Sequence, residues 1–239
     1  MDIHKRLNGS RFLLVGLAIY WTAVAVVGFV PSYLDSAAGK FPIDAVVHVH
    51  GVLMGSWLGL FICQTWLVAT GRLAAHRSLG LAGMWLAAAI WISMWVMTIH
   101  GLHRGKFPQD EFLIDVLLPQ LAMIVLFPVF IVWGYRARRQ SDVHRRVMIL
   151  ATLVLLQASV DRMFWLPSLA LPGFWDHALR LYVIVLAPLF LFDLLSIRRL
   201  HRTTLLGSGL ILTAHLIISL LWATSGWHAF AHLVASPIM

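Results

Sequence analysis

Residues 112–133 read FLIDVLLPQLAMIVLFPVFIVW, from Phe112 to Trp133, with Asp115 the one charged side chain among them. A helix rising about 1.5 Å per residue over this length crosses the roughly 30 Å hydrocarbon core of a bilayer. The run has no polar stripe, so as a helix it is apolar on all sides and belongs in lipid or in a bundle interior. Pro119 and Pro128 lie inside it. Interior prolines leave backbone carbonyls without donors, which a membrane helix tolerates where neighbours re-satisfy them.

Working outward, six more apolar runs have similar character: about residues 12–30, 45–69, 78–99, 147–166, 179–192 and 204–224. The sixth is the shortest and holds Pro188. The expectation is an all-α polytopic membrane protein, a seven-transmembrane-helix bundle forming one domain over residues 1–239. The first run is as long as a true span and lacks a clear small-residue cleavage site, so it reads as a retained helix. A turn with Pro31, Ser32, Gly39 and Pro42 follows it. Residues 70–77 form a tight loop, residues 100–110 a polar one, and a short amphipathic tail ends the sequence.

Composition agrees. Hydrophobic residues make up 60% of the chain and charged residues 12%, against about a quarter charged in soluble domains. The net charge of +8 does not point to nucleic acid. The basic residues cluster before the first span and in the loops after spans two, four and six, as the positive-inside rule requires. That rule puts the N-terminus in the cytoplasm and the C-terminus outside, in a bacterial inner membrane. Cys63 stands alone, so cysteine usage says nothing of redox compartment.

With the spans drawn, His48, His50, His100, His103, His177, His228 and His232 all fall at the outer side. Histidine is the commonest metal ligand and the usual axial ligand of b-type haem. His228 and His232 are spaced i, i+4, which puts both on one helical face. Asp44, Asp110, Glu111, Asp115, Asp161 and Asp176 share that side. The metal candidates are His48, His50, His228, His232 and Asp161. The plain alternative is interfacial, since His and Trp both suit the headgroup layer and the chain has eleven Trp.

A deeper set comprises Gln157, Asp161 and Arg162 on span five, His215 on span seven, Gln64 on span two and Gln120 on span four. Ionisable groups at such depth cost a few kcal/mol and face the bundle interior. They either hydrogen-bond helices together or form a proton path or substrate pocket, with Arg162 holding a carboxylate, a haem propionate or a quinone oxygen. At the basic side, pairs such as His76-Arg77, His144-Arg145 and His201-Arg202 open helices. Orientation bias accounts for them; so does an anion site for lipid phosphate or a cofactor carboxylate.

The stretch His48-Val-His50-Gly51, then Gln64, Gly71-Arg72 and His76-Arg77-Ser-Leu-Gly80, resembles the first half of an uncharacterised bacterial membrane family, domain of unknown function 2306. Asp142-Val-His144-Arg145-Arg146-Val-Met148, ending in Arg162, is similar to its second half. The resemblance covers about residues 48–162 and implies no activity. The run His50-Gly-Val-Leu-Met54 is also similar to the entry of the second helix of haem-copper oxidase large subunits, where a histidine ligates haem. The other ligand motifs of that family are absent from the sequence.

Three functions follow as expectations. The first is a haem b- or metal-binding redox component, with His50 paired to His100 or His215 beside Arg162, and a redox partner or quinone. Zinc or copper are the alternative metals. The second is a zinc-dependent intramembrane hydrolase, similar in kind to the ceramidase and progestin-receptor-like superfamily, with His50 and Ser56 reversed from that family's order. The third is a non-enzymatic accessory, assembly or transport protein.

Overall fold

The computed structural model describes residues 3–40, 42–104, 111–163, 165–167 and 179–235. The helices are α1 (Ile3–Ala37), α2 (Ala45–Ala69), α3 (Leu73–Arg104), α4 (Glu111–Arg136), α5 (Ser141–Leu155) and α6 (Gln157–Val160). After a π-helical segment, Tyr182–Leu186, come α7 (Ala187–Ile197), α8 (Arg202–Leu221) and α9 (Ser225–Ala235). Among the described residues, seven helical stretches are long and apolar enough to cross a membrane. The protein is an integral membrane protein of the all-α class.

Helix ends differ from the hydropathy boundaries for physical reasons. α3 begins at Leu73, ahead of the apolar run, because His76 and Arg77 occupy its first turns. Hydropathy marks the edge of the lipid, whereas backbone bonding marks the end of a helix. α1 continues through Pro31, where a turn was expected, since one lost donor near its end does not stop a helix. The chain turns instead at Gly39, whose φ of 76° favours glycine. The sixth crossing extends to Ile197 rather than residue 192, because Asp193 is neutralised within the bundle.

The bundle is built around α5. Residues 149–157 are buried without interruption. α5 packs against α4 and α8, while α1 packs against α2, α6 and α7. Trp57 on α2 reaches α5 through an Nε1–H bond of 3.1 Å to Thr152 Oγ1. Outward-facing side chains are large and apolar, with Trp85 80% and Val52 68% exposed. That pattern suits a protein whose surroundings are lipid.

Two interior prolines show how the bundle meets the demand for backbone partners. Pro128 has no N–H for the carbonyl four residues back, and Trp91 Nε1 donates to that carbonyl, Ile124 O, at 2.9 Å. Pro188 likewise releases Ile184 O, which accepts from Tyr20 Oη at 2.9 Å. The next carbonyl, Val185 O, accepts from Trp21 Nε1 at 3.0 Å. Aromatic donors thus bond these helices to their neighbours beside the prolines.

α1 crosses α6 at Gly28. A Cβ there would lie 2.9 Å from Ser159 Cα and in conflict with its carbonyl. Only glycine allows this approach.

Candidate functional site

The loops joining α2 to α3, α4 to α5 and α7 to α8 lie at one end of the bundle, called here the basic end. The polar groups of the other half of the bundle fall into four sets.

The first is a cleft between α4, α5–α6, the π segment and α8. Gln157 and His215 line it, Leu126, Leu153 and Ile211 supply apolar wall, and the Tyr182 ring lies against His215. Gln157 is 4% exposed and His215 3%. Gln157 and Tyr182 sit at irregular backbone or beside it: the α5–α6 break at Leu156 precedes Gln157, and Tyr182 opens the π segment. Ala187 N–H bonds back five residues to Tyr182 O. Such segments recur at functional sites. The Tyr182 and His215 rings are 5.6 Å apart.

The hydrogen-bonding capacity of Gln157 and Tyr182 is only partly spent. Gln157 Nε2 and Tyr182 Oη are buried and without partners. His215 Nδ1 lies 2.9 Å from Ile211 O. A carbonyl can only accept, so Nδ1 carries the proton and Nε2 is the ring's accepting nitrogen. The cleft has room for a group of about one water molecule's size.

The second set gathers around Arg162. Its guanidinium lies over the Phe29 ring, 4.7 Å from the centroid, and Nη1 donates to Ala158 O at 2.7 Å. His50 on α2 feels the Arg162 charge. His50 Nδ1 is 2.9 Å from Ser93 Oγ, and Ser93 donates its own proton to Ile90 O at 2.7 Å. The hydroxyl proton being spent, His50 Nδ1 is the donor and Nε2 the bare nitrogen. Asp161 is half-buried, and the charges of Arg162 and Arg180 both act on it. Gln157 O accepts from Asp161 N–H at 2.9 Å, so one helical turn joins this set to the cleft.

The third and fourth sets are pairs. His100 Nε2 lies 2.9 Å from Asp44 Oδ2. His228 Nε2 lies 3.1 Å from Asp115 Oδ1, and that same oxygen accepts from Ala223 N–H at 3.0 Å. Asp115 therefore ties down the turn between α8 and α9. Trp227 Nε1 adds a bond to Ile114 O at 3.0 Å.

The histidine cluster expected from the sequence is thus divided. His50 does come near Arg162 and Asp161. His100 is held at Asp44, and His215 lies in the cleft beside Tyr182. His228 is on Asp115, His232 is half-buried on the same helix, and His48 is exposed. Asp110, Asp176 and His177 fall outside the described residues. Among the described residues no three His, Cys, Asp or Glu side chains converge as a metal site requires.

Sequence reasoning named Gln157 and His215 but missed Tyr182 and Ser93. Pro188 was the available signal for Tyr182, since a proline in a span disturbs the backbone in the turn before it. Ser93 carried no signal, because hydroxyls in membrane helices usually bond their own backbone.

Scans against protein-family models, curated proteins and solved structures return no match to this chain.

Proposed function

We propose that this protein is an intramembrane redox or proton-transfer component, in a bacterial inner membrane, that takes the polar head of a lipophilic carbonyl compound of the quinone class. The single observation carrying this reading is that Gln157 and His215 line one otherwise apolar cleft, with the Tyr182 ring beside His215 and both Gln157 Nε2 and Tyr182 Oη buried without partners. A ring carbonyl needs donors in its plane, and Gln157 and Tyr182 supply them. His215 Nε2 accepts or returns a proton as the head is reduced or oxidised. The cleft's size suits a carbonyl or hydroxyl group, with the hydrocarbon body lying along the apolar helices.

Haem b fits these residues less well. Bis-histidine ligation asks two imidazoles to face one porphyrin-sized space. His100 Nε2 is engaged by Asp44, while His50 bonds Ser93 on α3 and His215 lies against Tyr182. The zinc-hydrolase reading rests on the Asp115–His228 pair with His232 one turn on. Asp115 already bonds Ala223 N–H, which favours a structural use of that pair.

The test is quinone extraction, an optical spectrum and elemental analysis on one detergent-purified sample. Quinone should be retained by the wild type. Retention should fall about tenfold in Gln157→Leu and in Tyr182→Phe, each losing one hydrogen bond to a buried acceptor. No quinone bound, whether co-purified or added, refutes the reading. A Soret band would then favour haem, and stoichiometric zinc the hydrolase.

A further inference from the structure

α8 carries a line of polar side chains along its inward face. Thr204, Ser208, His215 and Ser219 fall within about 60° of one another around the helix axis at 3.6 residues per turn. From Thr204 to Ser219 the helix rises about 22 Å, most of the roughly 30 Å hydrocarbon core. Thr204 is 0% exposed, Ser208 8% and His215 3%. This face is turned to α5 and α4, since a Cβ on Gly207, beside Ser208, would meet Leu150 and Phe130.

Thr204 Oγ1, Ser208 Oγ and Ser219 Oγ are buried and have no partner in the protein. Hydroxyls in membrane helices ordinarily bond the carbonyl one turn back. Thr22, Thr98 and Thr152 do so, to Ala18 O, Met94 O and Met148 O at 2.8, 3.0 and 3.1 Å. Ser208 and Ser219 have helical carbonyls one turn back and do not use them. Buried polar atoms are nearly always paired, and water is the partner that suits three hydroxyls in file. The widest gap in the line, about 10 Å between Ser208 and His215, is bridged by the cleft. Ile211, Ala214 and His215 line it there, and it has room for about one water. Both ends of the line approach titratable groups. His201, half-buried, is the N-cap of α8 and stands three residues before Thr204. Ala223, one turn past Ser219, donates its N–H to Asp115 Oδ1 at 3.0 Å, and His228 Nε2 lies 3.1 Å from that same oxygen.

We propose that this line is a proton path through the bundle, joining His201 at the basic end to the Asp115–His228 pair at the other. A hydroxyl passes a proton on by accepting one at a lone pair as it gives up its own, so no net charge stays on it. His215 Nδ1 is held by Ile211 O, and exchange takes place at Nε2. Protonatable groups at this depth of a membrane helix mark such relays. The path shares His215 with the cleft but needs no quinone, so loss of quinone binding alone leaves it intact.

The experiment uses the full chain reconstituted into phosphatidylcholine vesicles with a pH-sensitive dye trapped inside and no quinone added. A potassium gradient with valinomycin drives protons inward, and the dye reads their rate of entry. Variants are Thr204→Val, Ser208→Ala and His215→Phe, with Thr22→Val as control, its hydroxyl being already spent on Ala18 O. Helical circular dichroism and a monodisperse elution peak certify folding, and Ser219→Ala takes the place of His215→Phe should the latter fail. The wild type should admit protons well above the rate of protein-free vesicles. The rate should fall about tenfold or more in each path variant, as for the loss of one relay group, and stay within about twofold in the control. A wild-type rate equal to that of protein-free vesicles, unchanged rates in Thr204→Val and Ser208→Ala, or an equal fall in Thr22→Val overturns the proposal.

Discussion

Arg146 and Asp193, forty-seven residues apart, form an ion pair from which solvent is wholly excluded. Arg146 Nε donates to Asp193 Oδ1 at 2.8 Å, and Nη2 stands 2.6 Å from the same oxygen. Arg146 Nη1 donates to Asp142 O at 2.8 Å, and Asp193 Oδ2 accepts from His201 N–H at 2.9 Å. The pair therefore joins α5, α7 and the start of α8. Breaking a buried pair leaves a charge without compensation, at about 3–5 kcal/mol, whereas apolar replacement of both partners is often neutral. Arg146→Met and Asp193→Leu should each lower the unfolding midpoint sharply in detergent, and the double variant should recover most of the loss. A double variant as unstable as the two singles combined would count against this account.

His201 makes the same end pH-sensitive. Its Nδ1 accepts from Thr203 N–H at 3.1 Å and caps α8, which a protonated nitrogen cannot do. Burial, and after it the Arg146 charge, hold its pKa below the ordinary value, with Asp193 and Asp142 acting in opposition. The folded pKa being depressed, the contribution is complete above the unfolded pKa of about 6.5 and is lost as pH falls from there through the folded value. Thermal stability should decline as pH falls below about 6.5. His201→Asn, a capping residue that does not titrate, should flatten that part of the profile. An unchanged slope in the variant would remove His201 from the explanation.

Gly28 should be irreplaceable where Gly16 is not. A Cβ on Gly28 meets the backbone of Ser159, whereas one on Gly16 meets nothing within 4 Å. Backbone cannot rotate aside as a flexible side chain can, so Gly28→Ala should cost about 1–3 kcal/mol or more. Gly16→Ala should leave stability unchanged or raise it, by about 0.5–1 kcal/mol from helix propensity. Thermal melts of the two variants side by side provide the check.

The bond from Trp91 to Ile124 O is useful because Pro128 leaves that carbonyl unpaired. Trp91→Phe should cost about 1–3 kcal/mol, the penalty of a buried acceptor left alone. Pro128→Ala returns the helical donor, so Trp91→Phe should cost less in that background. A double-mutant cycle measures the difference; additive effects would argue that tryptophan and proline act independently.

The number of crossings, the helical class and the lipid-facing character were legible in the sequence because hydropathy over some twenty residues is a local sum that needs no partner. Gln157, Asp161, Arg162 and His215 could be singled out for the same reason, since an ionisable or amide group in a greasy run is conspicuous alone. What each of them touches was not legible. Arg146 looked like one more loop cation until the fold set Asp193 against it. The histidines looked like one cluster because side of the membrane is a one-dimensional coordinate. Helix rotation and neighbour order divide them, sending His100 to Asp44, His228 to Asp115 and His215 to Tyr182 and the cleft that Gln157 also lines. Composition along the chain decided that helices cross the membrane and where. Only the packing of distant helices decided which polar atoms meet and which are left with capacity to bind something else, because a hydrogen bond depends on distance and direction, which sequence spacing does not carry between helices.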